Sequence, residues 1–240
     1  MRIARLLAAT ILAATLPGTA LAGPPYATDD PVPTDTGKWE IYAFADAAFD
    51  LGTSAGSAGL DLNYGPIRDV QLTATLPFEF DNAPHTSTRF GDAELGIKWR
   101  LLNDERHGRS LAIFPRAILP TARGLGKVEL LLPAWAQQDL GPWSIFGGGG
   151  YAINRGAGRR NAWQAGVAVT RGIGERLSIG GEIFHETAEQ RGGHGATLIG
   201  AGANLSLRGP FFLLVAGGPI IEDHSGHTAM RGYAALLSAF

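Results

Sequence analysis

A strict alternation of polar and apolar residues constrains the fold of this chain more than any other feature. It is clearest in GDAELGIKWRLL, residues 91–102. A period of two predicts a β-strand with two different faces. One face is apolar and includes a tryptophan, and the other carries Asp92, Glu94, Lys98 and Arg100. Because buried charges need partners or water, the charged face is expected to line a wet or ion-paired interior.

Similar runs follow one another from Trp39 to the last residue. Each spans 9 to 13 residues, which is long enough for a tilted strand to cross a bilayer. Their even number is typical of bacterial outer-membrane barrels with both termini in the periplasm. The sequence therefore predicts an all-β fold, an antiparallel transmembrane β-barrel of about 12 strands. The runs are 39–49, 58–66, 70–80, 91–102, 110–120, 127–138, 143–153, 161–171, 176–187, 195–207, 210–220 and 228–240.

The connections between these runs alternate in length. Long polar segments such as DLGTSAGSA (50–58) and DNAPHTSTRF (81–90) follow odd-numbered runs, whereas IRD and RG follow even-numbered ones. Long extracellular loops that alternate with short periplasmic turns are typical of a transmembrane barrel. A soluble β-sandwich has no reason to alternate in this way.

The N-terminus has the pattern of a cleavable signal peptide. In MRIARLLAATILAATLPGTALAG, two arginines precede a short apolar run, and Ala20-Leu21-Ala22 forms a small-x-small cleavage site. A membrane anchor is the alternative, but Pro17 and Gly18 interrupt an apolar run that is already too short. We therefore expect cleavage after Ala22 and an exported protein.

The sequence predicts three segments. Residues 1–22 are the signal peptide, 23–38 an irregular periplasmic or lumen-plugging leader, and 39–240 the barrel. The leader is rich in Pro and Asp and has no periodicity. No later stretch contains 18 consecutive apolar residues, so no membrane-spanning helix is predicted. Together these features predict location in the outer membrane of a Gram-negative bacterium.

Composition excludes several classes of protein. The chain has no Cys, which excludes a disulfide scaffold, a thiolate zinc site and a Cys-anchored lipoprotein. The formal net charge of −2 gives no bulk attraction for nucleic acid. No nucleic-acid partner and no cofactor are expected.

Aromatic residues at the ends of the runs indicate two membrane interfaces. Trp39, Trp99 and Trp143 fall near predicted periplasmic ends, and Tyr151 and Trp163 fall near extracellular ends. Aromatic girdles at both interfaces produce this distribution.

Two aromatic residues, Trp135 and Phe240, have expected roles outside these girdles. Trp135 shares the parity of polar residues, so it faces the lumen or follows a bulge near Pro133. The terminal Phe240 resembles the C-terminal signal read by the barrel assembly machinery, which is a predicted partner.

Six segments carry a resemblance to a known family: ATDDPVPTDTGKWEIY (27–42), LNYGPIRDVQLTATLPF (62–78), GDAELGIKWRLL (91–102), IFPRAILPT (113–121), LPAWAQQDLGPWSIFGGGGYAIN (132–154) and RNAWQAGVAVTRGIGERLSIGGEIFHET (160–187). Through them, nearly the whole predicted mature chain resembles a family of outer-membrane transporters named for the MetA pathway of phenol degradation. The resemblance implies a transporter-like barrel, and it assigns no solute.

The polar parity of the runs predicts which residues line the lumen. These inward-facing residues carry charges of both signs. The predicted lumen-lining residues are Glu40, Asp46, Asp61, Glu79, Asp92, Glu94, Lys98, Arg100, Arg116, Glu129 and Glu182.

The leader supplies a candidate plug. Its carboxylates Asp29, Asp30 and Asp35 could pair with the cations of the lumen, which the parity identifies as Lys98, Arg100 and Arg116.

Other candidate chemistry is weak. His185 lies on the parity opposite to Ser178, so no serine triad forms on the outer wall, and no catalytic residue is predicted. The spacing of His194, His224 and His227 matches no recognised metal-ligand motif, and hydrated loop polarity is the favoured interpretation.

Two further motifs also have ordinary explanations. GGGG at 147–150 lacks the Lys-Ser/Thr of a phosphate loop, so it more plausibly makes room inside the barrel. Arg155, Arg159 and Arg160 share one external loop, either as lipopolysaccharide contacts or as a solvated turn.

The sequence favours a passive channel for small solutes, with aromatic or hydrophobic molecules as a narrower class. A barrel of this size has a lumen only slightly wider than one that side chains fill, so a narrow or plugged pore is expected. A structural or adhesion barrel that works through its loops is the alternative, and a lipid-modifying enzyme is disfavoured. Expected partners are outer-membrane lipid, lipopolysaccharide and a small-molecule solute.

Overall fold

A computed structural model describes residues 25–82, 85–122 and 126–240, so the predicted signal peptide lies outside the described residues. Within these ranges there is no helix of the length and apolarity that a membrane span requires. The strands are β1 (Trp39–Asp50), β2 (Thr53–Ile67), β3 (Val70–Asp81), β4 (Ser87–Phe90), β5 (Ala93–Asp104), β6 (Arg109–Ile113), β7 (Arg116–Leu119), β8 (Glu129–Leu140), β9 (Trp143–Ile153), β10 (Ala162–Ile173), β11 (Leu177–Glu186), β12 (Ala196–Ser206), β13 (Phe211–Glu222) and β14 (Thr228–Ala239).

These strands form one closed antiparallel barrel. β4 and β5 both pair with β3 and act as one interrupted strand, and β6 and β7 both pair with β8 and act as another. The described residues therefore build a ring of twelve strands, two of them interrupted, which confirms the predicted fold.

Pairing of the first and last strands closes the ring. β1 pairs with β14 from Glu40↔Ala239 to Phe49↔Met230. Beyond β14, the backbone N–H of Phe240 donates to the Trp39 carbonyl at 3.0 Å, and the Trp39 N–H donates to the Phe240 carbonyl at 2.8 Å. We call the end of the barrel that holds Trp39 and Phe240 the terminal end, and the opposite end the loop end.

The first connection differs from the prediction. Residues 50–58 were expected to form an external loop, but β1 and β2 continue until a two-residue turn at Leu51 and Gly52. Both turn residues have positive φ, 41° and 87°, as the tight turns of β-hairpins require. Small residues such as Ala55 and Ser57, which look like loop residues in the sequence, are therefore strand residues.

Both interrupted strands break at residues that disfavour regular backbone hydrogen bonding between strands. Pro115 has no backbone N–H and separates β6 from β7. Hydrogen bonds still cross the break, because Pro115 O accepts the Ile97 N–H at 3.1 Å and Phe114 N–H donates to Pro133 O at 3.0 Å. The second break, at Gly91 and Asp92, separates β4 from β5.

The outer surface of the barrel is apolar between two aromatic zones. Leu95, near the middle of the interrupted strand that β4 and β5 form, is 50% exposed. Trp39 stacks on Tyr64 at the terminal end, with ring centroids 4.7 Å apart, and Tyr151 packs on Trp163 at the loop end, at 4.6 Å. This arrangement suits contact with lipid tails between two headgroup layers.

Trp135 lies on the inner face. In β8 it alternates with exposed residues, and its side chain is completely buried. The prediction left open whether Trp135 faces the lumen or follows a bulge, and the regular register of β8 with β9 supports the lumen.

A matched pair of substitutions tests the lipid-facing surface. Leu95→Arg introduces a charge near mid-depth and should destabilise the barrel by about 2–4 kcal/mol, because the guanidinium enters the hydrocarbon. Leu140→Arg, at a strand end with similar exposure, should cost no more than about 1 kcal/mol. Denaturant unfolding in lipid vesicles, followed by Trp fluorescence, measures both. Equal losses would contradict the assigned membrane depth.

Candidate functional site in the barrel lumen

Leader residues 25–34 lie inside the barrel, against an inner wall that is locally free of side chains. Tyr26 rests on Gly180 and Gly202 and donates its hydroxyl hydrogen to the Gly202 carbonyl at 3.2 Å. A Cβ at Gly180 would approach this hydroxyl to 2.7 Å, which is closer than packing allows. Burial, together with the Glu182 carboxylate, raises the pKa of Tyr26, a leader residue outside the strands, to about 12. The phenol therefore stays protonated at neutral pH and remains a donor.

Glu182 holds the next two leader residues by their backbone. Its carboxylate accepts the N–H groups of Ala27 and Thr28 at 3.0 and 2.9 Å, and its side chain is fully buried. Arg231 lies 3.6 Å from the same carboxylate and forms a two-pronged ion pair with Asp46, at 2.9 and 2.7 Å. A buried carboxylate with this many donors is held in place and compensated.

Lys98 provides the second anchor of the leader. Its side chain is only 2% exposed, and its ammonium donates to the Asp29 carboxylate at 3.0 Å and to the Asp30 carbonyl at 2.9 Å. The Asp30 carboxylate is 3.9 Å away. The Phe114 ring lies 5.1 Å from the ammonium, a cation–π distance. Removal of either partner would leave a buried charge uncompensated.

A network of amides and hydroxyls forms the third anchor. The side-chain carbonyl of Gln71 accepts both the backbone N–H and the hydroxyl of Thr34, at 2.8 and 3.0 Å. Its amide nitrogen donates to Asn63 at 2.7 Å and to Thr73 at 3.0 Å. Because Asn63 and Thr73 are on β2 and β3, this anchor fixes the leader to the neighbouring wall.

The seated leader separates cavities at the two ends of the lumen. A loop-end cavity of about 560 Å³ has Ala27 in its lining, and a terminal-end cavity of about 670 Å³ is lined in part by Pro25, Tyr26 and Val32. A third cavity of about 160 Å³ lies beside the leader.

The structure brings most of the predicted lumen residues into two groups. Members of the first group line the small cavity beside the leader and include Arg116 and Glu94, an ion pair at 3.0 Å. Asp46 and Glu182 form the second group through Arg231. The first group comprises Glu40, Asp61, Glu94, Lys98 and Arg116, together with Asp29 of the leader.

Arg100 and Glu79 lie near opposite ends of the barrel. Arg100 pairs with Asp69 in the β2–β3 turn at 2.6 Å, so it binds a turn of the terminal end and not the leader. Glu79 pairs with Arg89 of β4 and lines the loop-end cavity.

Two predicted lumen residues instead fasten connections at the loop end. Asp92 lies in the break between β4 and β5 and accepts the Ala122 N–H at 2.9 Å. Glu129 accepts a hydrogen bond from Arg159 at 2.9 Å and so holds the β9–β10 loop. Asp92 lies in a strand break, where the alternation no longer applies, whereas Glu129 keeps the inward parity that it shares with Trp135 in β8.

Asp35 corrects the prediction for the plug. It is exposed, and its carbonyl accepts the Lys38 N–H at 3.0 Å in a turn that leads into β1. The chain has therefore left the buried interior by this position. Asp29 and Asp30 are the two leader carboxylates that lie near Lys98.

Sequence reasoning missed Arg231, Gln71 and Tyr26. Arg231 and Tyr233 share the inward parity of β14, a signal that could have identified the arginine. Gln71 has the right parity but carries no charge. Nothing in the sequence of the irregular leader indicates that Tyr26 rests on glycines.

The other motifs form no reaction centre. His185 contacts Thr197 at 3.0 Å, and Arg159 is paired with Glu189 as well as Glu129. Among the described residues, no group of three or more His, Asp or Glu side chains could hold a metal ion.

A closed antiparallel barrel of twelve strands with an apolar outer belt is the fold of outer-membrane β-barrels. Three solved structures with this fold are the COG4313 outer membrane channel from Pseudomonas putida F1 (TM-score 0.69, 15% identity, 92% of this chain and 100% of that chain covered), the KdgM porin (0.60, 7%, 84% and 99%) and the CymD monoaromatic hydrocarbon channel (0.55, 7%, 86% and 89%). At these identities the likeness is one of fold.

No family model matches this chain, and no curated protein matches it. The three solved structures are named as channels or a porin.

Two glycines of β10 test how the leader is seated. Gly166 and Gly172 both have the inward parity, but a Cβ at Gly166 would collide with the Thr28 hydroxyl, whereas one at Gly172 meets only Pro142 O, at 3.8 Å. Gly166→Ala should speed amide exchange in residues 25–30 by about tenfold or more, since overpacking costs about 1–3 kcal/mol.

Gly172→Ala is the control and should leave exchange in the leader unchanged. Hydrogen exchange read by mass spectrometry on the folded barrel measures both variants. Slower or unchanged exchange of the leader in Gly166→Ala would refute the close contact.

Proposed function

We propose that this protein is an outer-membrane channel for small solutes whose lumen is narrowed by its own leader. The observation that carries the proposal is the ion-paired seating of residues 26–34 between two cavities that approach opposite ends of the barrel. A structural barrel has no need for a cavity at each end of its lumen.

The narrower proposal is that the solutes are aromatic or hydrophobic. Tyr26, Phe146 and Phe212 line the terminal-end cavity, and Phe184 lines the loop-end cavity. Ring faces of this kind suit planar apolar molecules. The resemblance of the sequence to transporters named for phenol degradation, and the fold shared with a channel named for monoaromatic hydrocarbons, support this class.

The proposed partners follow from the surfaces of the barrel. The apolar belt would contact outer-membrane lipid. Arg155 and Arg160 are exposed near the loop end and could pair with lipopolysaccharide phosphates, whereas Arg159 is already engaged by Glu129 and Glu189. Phe240 would be read by the assembly machinery.

Single-channel conductance tests the proposal. Deletion of residues 24–36 should raise conductance several-fold, because it opens the path between the two cavities. Lys98→Met, which breaks the anchor to Asp29, should give frequent transitions to that higher level. Glu94→Gln should change ion selectivity, since Glu94 lines the cavity beside the leader.

The matched control is Glu105→Gln, in the exposed β5–β6 turn. It makes the same change of charge outside the lumen and should leave both conductance and selectivity unchanged. A folded barrel that conducts no ions, with or without residues 24–36, would reject the channel and favour a structural or adhesion role for the loops.

The role of Phe240 can be separated from barrel stability. Phe240→Ala keeps the backbone hydrogen bonds with Trp39 and removes only the exposed ring. Assembly by the purified machinery in proteoliposomes should slow, while unfolding of the assembled barrel should shift by no more than about 0.5 kcal/mol. Normal assembly kinetics would show that the ring is not a recognition element.

A further inference from the structure

The loop-end cavity combines an apolar wall with a carboxylate-rich wall. Phe184, Leu198 and Ile220, from three adjacent strands, form the apolar side. Asp46 and Glu79 lie among the other lining residues. A volume of about 560 Å³ falls within the usual range of small-molecule sites.

The bottom of this cavity is closed by groups that already have partners. Ala27 of the leader lies there, and its N–H is bonded to Glu182. The Arg231 guanidinium is taken by Asp46 and lies 3.6 Å from Glu182. Among the described residues that line the cavity, Arg231 is the one arginine, and carboxylates compensate its charge, so these residues offer an anionic ligand no free cation.

The carboxylates differ in how they are compensated. Asp46 pairs with Arg231, and Glu79 pairs with Arg89. Glu186 also lines the cavity, yet within the described parts of the chain its carboxylate makes neither a hydrogen bond nor a salt bridge. One negative charge at the cavity is thus left without a counter-charge.

Glu186 lies beside the apolar wall of the cavity. It follows Phe184 by two residues in β11, so both side chains lie on the same inner face. The charged neighbours that act on it are Glu189, of the same sign, and His185, which lies on the opposite face of the strand. Glu189 is itself paired with Arg159. A ligand seated on Phe184 would bring a group two or three bonds away within reach of Glu186.

We propose that the loop-end cavity binds small arylalkylamines in their ammonium form. The ring lies against Phe184, Leu198 and Ile220, and the ammonium pairs with Glu186. This inference deepens the proposed function, since it names the chemical class of solute that the loop-end cavity of the channel would select.

Three probes of nearly equal size test the assignment. They are 2-phenylethylammonium, neutral 2-phenylethanol and anionic 3-phenylpropionate. Calorimetric titration into the full-length folded barrel in detergent, at low ionic strength, should give the tightest binding for the ammonium. The neutral alcohol should bind about fivefold more weakly, and the anion should give no measurable binding.

Variants then attribute the preference to particular residues. Glu186→Gln should weaken ammonium binding about fivefold and leave alcohol binding unchanged. Phe184→Ala should weaken both. Glu222→Gln is the matched control, because it removes the same charge near the loop end from a residue that does not line the cavity. Salt at 1 M should abolish the difference between ammonium and alcohol.

The binding results can overturn the assignment of Glu186 as the ammonium partner. Equal binding of ammonium and alcohol, or equal losses in Glu186→Gln and Glu222→Gln, would overturn the assignment. Because these are binding measurements, they are independent of conduction. A barrel that binds ammonium through Glu186 but passes no current would retain this inference and refute the proposed function. A conducting barrel without the ammonium preference would refute only the inference.

Discussion

The ion pair between the buried Lys98 ammonium and Asp29 is the interaction on which the interior of this barrel depends. An ammonium that is 2% exposed would be costly in a narrow lumen without a carboxylate beside it. The strand that carries Lys98 therefore requires the leader, and the leader, which has too little apolar surface to fold alone, requires the strand. The two form one structural unit although 69 residues separate the partners.

The fold was predictable because its signal repeats. Twelve runs with a period of two, and the even count of those runs, specify the same closed sheet. Single connections were less predictable: residues 53–58 are small and polar, so they resembled a loop, yet their pairing with β1 makes them strand. Cross-strand pairing is a long-range property that local composition does not encode.

The site was predictable where charge and parity coincide. Lys98, Glu94 and Glu182 lie in the lumen as parity requires, and Glu129 keeps the inward parity of β8. Asp92 lies in a strand break, where parity fails. The glycine surface that receives Tyr26 carries no such signal. Tyr26 meets Gly180 and Gly202, which pair across two neighbouring strands and leave no side chain at that level, and this is visible only once the strands are in register.

The contacts of the leader have a consequence for the order of assembly. Thr28 and Tyr26 reach partners that lie 154 and 176 residues further along the chain, so their binding surface does not exist until β11 and β12 are in the sheet. Contacts of such separation form late, because a long loop must close first. The barrel wall is therefore a template that is completed before its own first segment can fold onto it.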